Sequence, residues 1–383
     1  MGREGGDQRP RLNITIVQGP YFPVPPLLES GVEKMWHGLG REFAARGQRV
    51  VHLSREFRGL ATREQQGGVF HQRIPSRDAP RSRWAYRAFD LVYSLRARRL
   101  LPPGADILIT NCLWLPVLIR NSRYGRLYIH VARYPKGQMR LYRHAPRIQT
   151  VSTVVAEAIK AELGLGTGSV RVIPPFLATE NFTAPTLSLS GRSKEILYVG
   201  RVHPEKGLDL LVTAFALAQL PEHCLTIVGS HEFRQGGGGP GYLARLRALA
   251  GPMGGRVDFA GLVPQAGLTD YFDRAALLVY PSVAEHGEAL PIVPLEAMVR
   301  GCPALVSDLR CFRDYLQPGR NGYVFDHRGP AASANLAAAM RAALTDGAQR
   351  RAVLEGGRAT AREYALESVA GRFLEDFTEL ISS

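Results

Sequence analysis

The chain of 383 residues is too long for one ordinary hydrophobic core and suits two domains. Hydrophobic residues make up 45% and charged residues 21%, which is the balance of a globular protein and not of a disordered one. The net charge of +14 lies in the first half, because residues 1–180 hold 28 basic and 13 acidic residues. This asymmetry indicates an anionic partner for that half, such as membrane lipid, an anionic acceptor or nucleic acid, unless it only reflects an arginine-rich composition.

Several targeting and cysteine-based classes are excluded. No run of about 18 apolar residues occurs, so no transmembrane helix is expected. The first thirteen residues have no apolar core, so no secretory signal is expected. The four cysteines are scattered and form no Cys-x-x-Cys pair, which argues against a disulfide framework and a zinc site. The sequence therefore predicts a protein of the reducing cytoplasm.

In the first half, short apolar strands alternate with amphipathic helices, which predicts α/β units with parallel sheets. The first strand, Leu12–Gln18, is followed by a loop rich in glycine and proline. A capping box from Ser30 to Glu33 then opens a helix that Gly47 ends. Later strands are predicted at Arg49–Leu53, Asp106–Thr110, Leu127–Val131, Ile148–Val151 and Val170–Ile173, and a helix capped by Ser152 runs to about Leu163.

Pro174, Pro175 and the polar stretch 183–193 predict a linker, after which the α/β pattern restarts. The glycine run Gly236–Gly239 is either a loop near a ligand or a disordered surface loop, and we favour the second interpretation. The remaining strands are predicted at Ile196–Val199, Leu225–Val228, Val257–Phe259, Leu277–Tyr280, Ala304–Val306 and Tyr323–Phe325, with a helix at Gly207–Ala218 and helical structure from about Ala331.

Two glutamates, Glu288 and Glu296, stand eight residues apart just after the strand Leu277–Tyr280. Pro294 suits the first position of a helix, so Glu288 is expected on a loop and Glu296 in a first helical turn. Both then lie at the carboxyl edge of a parallel sheet, where open α/β sheets bind ligands. Taken alone they are equally compatible with surface carboxylates, and a rival register would start the pair at Glu285.

A basic turn, Gly200-Arg201-Val-His-Pro-Glu-Lys206-Gly207, follows the first strand of the second half. Arg201 offers a fork for two phosphate oxygens, and Lys206 offers a compact point charge. Two such cations would stabilise the negative charge that a nucleoside diphosphate gains when its bond to a sugar breaks. Alone, a basic turn of this kind is more often a solvated loop.

The motifs together, Gly-Arg-x4-Lys-Gly, Glu-x7-Glu and the turn Asn321-Gly322-Tyr323, resemble the retaining glycosyltransferases of family 4. The resemblance covers nearly the whole chain. It departs from many members in the single glycine after Ser30, in Pro175-Phe176 at the inter-domain turn and in Leu290-Pro291 after the first glutamate. It implies the α/β GT-B fold, in which the parallel sheets of two Rossmann-like domains face each other across a cleft.

The resemblance also implies domain boundaries and residue roles. Residues 1–177 would bind the acceptor and residues 178–383 the nucleotide sugar, with the last helix, about 361–383, packing back on the first domain. A histidine near the end of a strand is as often structural as functional, so the sequence alone is compatible with either role for His130. The implied catalytic residues are His130, Arg201, Lys206 and Glu288, and the implied donor-binding residues are Gly31, Arg201, Lys206, Val263, Glu288 and Glu296.

The implied reaction moves a sugar with retention of its anomeric configuration. No side chain stands out as a nucleophile, so front-face attack is expected, in which the departing phosphate takes the proton of the acceptor hydroxyl. No Asp-x-Asp follows a strand, so neither a metal ion nor a cofactor is expected. The co-substrate would be a UDP- or GDP-linked sugar, and the acceptor a glycan, a lipid-linked glycan or a small molecule of polysaccharide or glycolipid synthesis.

Residues 77–99 mix seven arginines with Trp84, Tyr86, Phe89 and Tyr93. This segment is either a basic helix that lies on an anionic membrane surface, as in membrane-associated members of the family, or a helix that packs its aromatic side chains on the core. We favour the second slightly. A further basic stretch, Arg120 to Arg147, suggests an anionic or glycan acceptor. The expected location is the cytoplasm, with peripheral attachment to the inner membrane face left open.

Four other interpretations compete with this one. A sugar-nucleotide epimerase has the same fold, and a phosphorylase would need a lysine for pyridoxal phosphate, for which no lysine has a convincing context. A nucleic-acid-binding protein would account for the basic half, but no binding motif supports it and nucleic acid is not an expected partner. A catalytically silent homologue is disfavoured because Arg201, Lys206, Glu288 and Glu296 are all present.

Overall fold

A computed structural model describes residues 11–28, 30–164, 169–182, 192–345 and 347–383. The chain divides into two compact units: unit 1 comprises Met1–Phe176 with Leu366–Ser383, and unit 2 comprises Leu177–Ala365. Each unit contains one sheet of mainly parallel strands accompanied by helices, so the predicted α/β class with parallel sheets is confirmed. Most of the predicted linker, residues 183–191, lies outside the described residues.

The sheets are built from fourteen described strands. Those of unit 1 are β1 (Asn13–Val17), β2 (Arg49–Arg55), β3 (Arg63–Gln66), β4 (Val69–Ile74), β5 (Ile107–Thr110), β6 (Arg126–Val131), β7 (Arg147–Thr150) and β8 (Val170–Val172). Those of unit 2 are β9 (Glu195–Val199), β10 (Cys224–Val228), β11 (Val257–Gly261), β12 (Leu277–Tyr280), β13 (Ala304–Ser307) and β14 (Tyr323–Phe325). Every strand predicted from the sequence is present with its bounds shifted by at most two residues.

The strand orders locate one switch point in each sheet, where successive connections turn to opposite sides. The order in unit 1 is β3-β4-β2-β1-β5-β6-β7-β8, so its switch point lies between β1 and β5. The order in unit 2 is β11-β10-β9-β12-β13-β14, which puts its switch point between β9 and β12. Among the described strands, only β3, paired with β4, is antiparallel. Loops leaving the carboxyl ends of strands at a switch point form a crevice that can hold a ligand.

Eleven α-helices occur in the described part of the chain. They are α1 (Gly31–Ala45), α2 (Arg83–Leu100), α3 (Leu115–Leu118), α4 (Thr153–Leu163), α5 (Leu208–Ala218), α6 (Gly239–Ala250), α7 (Gln265–Arg274), α8 (Val293–Val299), α9 (Ala332–Leu344), α10 (Ala348–Arg362) and α11 (Leu366–Ser382). Ser30 precedes α1 as predicted, but its hydroxyl donates to the Glu33 carboxylate and accepts no hydrogen bond from a backbone N–H group, so the predicted capping box is incomplete.

The last helix, α11, belongs to unit 1 and completes its core. Phe373 and Phe377 are fully buried against Trp36 and Phe43 of α1 and Tyr128 of β6. The same face of α11 carries a buried carboxylate, Asp376, which accepts a hydrogen bond of 2.7 Å from the Tyr128 hydroxyl and pairs with Arg147 and Arg171. Aromatic packing and a paired buried charge therefore both fix α11 to the sheet.

Candidate active site

The motif residues of unit 2 cluster at the switch point of its sheet. Arg201 and Lys206 lie on the loop that leaves β9, and Glu288 lies on the loop that leaves the neighbouring strand β12. The turn into α5 needs a glycine, because Gly207 has φ +68° and a Cβ there would lie 2.1 Å from the Pro281 carbonyl oxygen. The two loops consequently approach each other closely enough for their side chains to meet.

Glu288 is buried and accepts three hydrogen bonds on one oxygen. Its Oε1 lies 2.5 Å from Lys206 Nζ, 2.7 Å from Ser282 Oγ and 3.2 Å from the Tyr280 hydroxyl. Burial raises the pKa of Tyr280 well above its usual value, and the charge of Glu288 raises it further, so the hydroxyl remains a donor. All three of these hydrogen bonds end on Oε1.

The rival glutamate has a different environment. Glu285 is half-exposed and pairs with Arg328 at 2.8 Å and with His327 Nε2 at 3.1 Å. The carboxylate that contacts the basic turn is therefore Glu288, which is the one that keeps seven residues between the pair.

Arg201 is held at the surface by two oxygens. Its Nη1 donates to the Gly236 carbonyl at 2.7 Å, and its Nη2 donates to Glu205 Oε1 at 2.5 Å. The glycine run next to it is tied down, since Gly238 N–H donates to the Val202 carbonyl at 2.8 Å. A Cβ at Gly237 would lie 2.2 Å from the His231 backbone. The interpretation of this run as a disordered surface loop is therefore wrong: the run is an ordered turn against the basic loop.

Glu296 and Val263 form the other part of the predicted donor site. Glu296 is buried in the first turn of α8, as predicted. Its Oε1 accepts a hydrogen bond of 3.2 Å from Gln265 Nε2, at the start of α7. Val263 lies two residues before Gln265 on the half-buried segment that leaves β11. The structure thus brings Lys206 and Glu288 into direct contact and links Glu296 to the segment that carries Val263.

The two predicted residues of unit 1, Gly31 and His130, lie at the carboxyl edge of its sheet. Gly31 begins α1, and no described heavy atom lies within 4 Å of the position that a Cβ would take. His130 is buried near the end of β6, with Nδ1 2.6 Å from Gln149 Oε1. Burial lowers the pKa of His130 to about 4, so the ring is neutral at pH 7.

Sequence reasoning missed several polar residues of these two edges. From the sequence, Tyr280 is predicted only as the last residue of a strand and Ser282 is assigned no role, although Tyr-Pro-Ser after an apolar run is a usable signal. Glu33 was assigned only to a helix cap. Its carboxyl is buried, and burial raises its pKa to about 7 against the opposing effects of a backbone hydrogen bond and of Arg133. A buried carboxyl with a raised pKa at a ligand edge is a functional candidate in its own right.

Most of the basic segment 77–99 lies in the surface helix α2, which begins at Arg83 and has a divided pattern of burial. Tyr93 is fully buried, which agrees with packing of aromatic side chains on the core. Trp84, Val92 and Leu95 are 80%, 48% and 43% exposed and follow the spacing of one helical face. The favoured interpretation, in which the aromatic side chains pack inward, therefore holds for Tyr93 and is wrong for Trp84.

Two kinds of feature are absent from the described residues. No helix among them is both long and apolar enough to cross a bilayer. No three of their histidine, cysteine, aspartate and glutamate side chains come together in a geometry that could hold a metal ion.

Comparison with known proteins agrees with this arrangement. Residues 182–360, which span the basic turn and both glutamates, match the sequence profile of the family Glycosyl transferases group 1. This part of the chain belongs to that family, and both units share the α/β architecture of GT-B proteins. The resemblance inferred from the motifs is thus confirmed for residues 182–360.

Similar proteins show how far the likeness extends. A phosphatidyl-myo-inositol mannosyltransferase of Mycobacterium tuberculosis is 29% identical over 226 residues, 57% of this chain and 56% of that protein. An exopolysaccharide phosphotransferase of Streptomyces coelicolor is 29% identical over 305 residues, 77% of this chain and 31% of that protein. The crystal structure of Anabaena HepE in complex with UDP covers 96% of this chain and 100% of its own, with a TM-score of 0.72 and 17% identity. The chain thus spans about a third to just over half of these curated relatives, and the structural likeness shows the fold alone.

Proposed function

We propose that this glycosyltransferase moves a hexosyl group from a nucleoside diphosphate sugar to a hydroxyl of a glycan or lipid-linked acceptor, with retention and without a metal ion. The observation that carries the proposal is the contact between Lys206 and Glu288 at the switch point of unit 2. It places a cation suited to a diphosphate directly beside a carboxylate suited to sugar hydroxyls. HepE, whose fold this chain shares, has been solved with UDP and with UDP-glucose, which supports a UDP-linked donor as one of the two expected classes.

Each residue has a distinct task in this scheme. Lys206 and Arg201 bind the diphosphate and stabilise its growing charge as the bond from the sugar C1 to the phosphate oxygen breaks. Glu288 orients the sugar, and Glu296 accepts hydrogen bonds from the ribose. The new bond joins C1 to the acceptor oxygen on the same face, and the acceptor proton passes to the departing phosphate. The chain supplies position and charge, without a covalent intermediate.

A thermal-shift panel of nucleoside diphosphates and their sugars in the presence of EDTA tests the donor. A ligand at about 100 times its dissociation constant stabilises the folded state by about 2.7 kcal/mol. We expect a UDP- or GDP-linked compound to shift the melting temperature under these conditions. A panel in which no nucleotide shifts the protein, while RNA does, would contradict the proposal and favour a nucleic-acid-binding protein.

The released product separates sugar transfer from transfer of a sugar phosphate, a distinction raised by the phosphotransferase relative. Transfer of the sugar alone breaks the bond between sugar and phosphate and releases a nucleoside diphosphate. Transfer of a sugar phosphate breaks the bond between the two phosphates and releases a nucleoside monophosphate. We expect the diphosphate in a chromatographic assay, and release of the monophosphate would contradict the proposed reaction.

The acceptor side of the proposal includes an anionic membrane surface. Trp84, Val92 and Leu95 form an exposed apolar stripe on α2 within the arginine-rich segment 77–99, a pattern typical of helices that lie on lipid headgroups. The phosphatidyl-myo-inositol mannosyltransferase relative is named for a lipid substrate, which supports a peripheral location on the cytoplasmic face.

Sedimentation with lipid vesicles tests this surface. We expect binding to vesicles that contain phosphatidylglycerol, weak binding to pure phosphatidylcholine, and weaker binding after Trp84→Ser. Leu217→Ala, which removes an exposed apolar side chain of unit 2, is the matched control and should bind as the unchanged protein does. If both variants bind equally well, and binding to the two vesicle types is also equal, the proposed membrane surface is refuted.

A further inference from the structure

Gln149 lies beside His130 in the sheet of unit 1, and its side-chain amide has a fixed orientation. The two residues are direct neighbours in the register of β6 and β7, and both are buried. Gln149 Nε2 lies 2.8 Å from the Thr150 carbonyl oxygen and 2.7 Å from the Ile173 carbonyl oxygen. Carbonyl oxygens only accept hydrogen bonds, so the NH₂ end of the amide must face them. Gln149 Oε1 therefore faces His130 Nδ1, 2.6 Å away.

This orientation determines which nitrogen of His130 carries the proton. Because Gln149 Oε1 can only accept, His130 Nδ1 must donate to it and so bears the hydrogen. In a neutral imidazole the other nitrogen, Nε2, is then a bare acceptor. Burial lowers the pKa of His130 to about 4, which keeps the ring neutral at pH 7. Nε2 is buried and has no hydrogen-bond partner in the described part of the chain.

An unmet buried acceptor of this kind is unfavourable by itself and is relieved by a ligand that donates. We propose that Gln149 is a positioning residue that holds His130 in the Nδ1–H tautomer, so that Nε2 accepts a hydrogen bond from a hydroxyl of the sugar being transferred. The identity of that ligand rests on the function proposed above, whereas the tautomer rests on the hydrogen bonds of Gln149 alone. The hydroxyl donates to His130, and its own oxygen remains free to accept from another group.

Nuclear magnetic resonance of the protein labelled with ¹⁵N in its histidine rings tests the tautomer without any activity assay. His144 is an internal control, because its Nε2 lies 2.9 Å from the Pro116 carbonyl oxygen and 3.2 Å from that of Ile119, and so must carry the proton. We expect opposite tautomers for the two rings at pH 7, assigned with His130→Gln and His144→Gln. A protonated Nε2 on His130 would overturn the proposal, whatever the protein transfers.

Two variants of Gln149 test the consequence for the reaction. Gln149→Met removes the acceptor from His130 Nδ1, so both tautomers become populated. We expect kcat/KM for the nucleotide sugar to fall roughly 3- to 10-fold, the effect of one neutral hydrogen bond, with an unchanged Kd for the nucleoside diphosphate, which lacks the sugar. Gln149→Glu keeps an acceptor towards His130 Nδ1 and adds a charge that favours the imidazolium, although it loses the NH₂ group that donates to the Thr150 and Ile173 carbonyl oxygens. We expect it to retain activity at high pH and to lose activity on the acid side at a higher pH than the unchanged protein does.

The outcomes separate this proposal from the proposed function. Gln149→Met with an unchanged His130 tautomer and unchanged kcat/KM would overturn the positioning role, and so would a Gln149→Glu profile that matches the unchanged protein at every pH. If Gln149→Met fails to fold, the spectrum of the unchanged protein and the Gln149→Glu profile decide the matter. Absence of sugar transfer by the unchanged protein would refute the proposed function and with it the hydroxyl ligand, while the tautomer would still be read from the spectrum.

Discussion

Replacement of Glu288 by glutamine tests how much the buried ion pair of unit 2 contributes to the free energy of unfolding. The side chains of Lys206 and Glu288 are only 8% and 9% exposed, so water screens their charges weakly. Glu288→Gln keeps the shape and the hydrogen-bond acceptor but leaves the lysine charge without its partner. Breaking one side of a buried pair costs about 3–5 kcal/mol, and we expect the lower end because the amide oxygen still accepts.

The assay is thermal unfolding of the purified chain, followed by the Kd of the nucleoside diphosphate. For a domain the size of unit 2, each kcal/mol corresponds to about 2–4 °C, so a loss of about 3 kcal/mol lowers the melting temperature by roughly 6–12 °C. Glu285→Gln is the matched control, since that half-exposed carboxylate pairs with the exposed Arg328 as well as with His327, and its loss costs about 1 kcal/mol or less.

A double variant separates lost charge from lost packing. Lys206→Met combined with Glu288→Gln removes both buried charges and should melt above Glu288→Gln alone, because no unpaired charge remains. It should nevertheless transfer no sugar, since the diphosphate loses its cation. If Glu288→Gln melts within about 2 °C of Glu285→Gln, the two glutamates are in equivalent environments and the reasoning about the site fails.

Three further predictions follow from features of the two units. Ser282→Ala removes one of three hydrogen-bond donors to Glu288. We expect kcat/KM for the nucleotide sugar to fall roughly 10-fold, with an unchanged Kd for the diphosphate. Equal losses in kcat/KM and in affinity for the diphosphate would contradict a role at the sugar. Gly237→Ala should destabilise the chain and weaken diphosphate binding because its Cβ meets the backbone, whereas Gly241→Ala, in open space on α6, should stabilise it by about 0.5–1 kcal/mol. Burial lowers the pKa of His71 from 6.5 to about 4, so protonation favours the unfolded chain, and the free energy of unfolding in urea should fall as the pH drops from 6.5 towards 4. His71→Gln should reduce the dependence of the free energy of unfolding on pH. The same dependence in the variant and the unchanged protein would refute the role of His71.

The α/β pattern could be predicted from the sequence because the strands that line the cores are short apolar runs, such as Leu277–Tyr280. The burial of such runs follows from their composition. Strand β3, with the sequence Arg-Glu-Gln-Gln, could not be predicted in this way. It is an exposed edge strand, defined by its hydrogen bonds to β4 and not by apolar residues. Helix α6 was missed because it begins with Gly239 and Pro240, which locally predict a loop.

The site was predictable where a motif fixed both residue type and spacing, and not where tertiary contacts decide the outcome. The glycine run 236–239 is ordered because it contacts the Val202 carbonyl and the backbone near His231. No local sequence pattern reveals these contacts. Similarly, the inward face of α2 is set by Asp90, whose carboxylate is buried because it accepts hydrogen bonds from the Leu113 and Trp114 N–H groups. Trp84 lies outside this buried face and is 80% exposed, against the expectation from hydrophobicity.

The membership of α11 in unit 1 makes unit 2 an insertion between two stretches of the same core. During synthesis on a ribosome, residues 11–176 emerge first, yet Trp36 and Tyr128 lack the phenylalanines that cover them until residues 366–383 have been made. The unit that is translated first is therefore completed last, after the inserted unit has had time to fold. Loss of a few residues at the far end of α11 would accordingly damage the sheet of unit 1 and leave unit 2 intact.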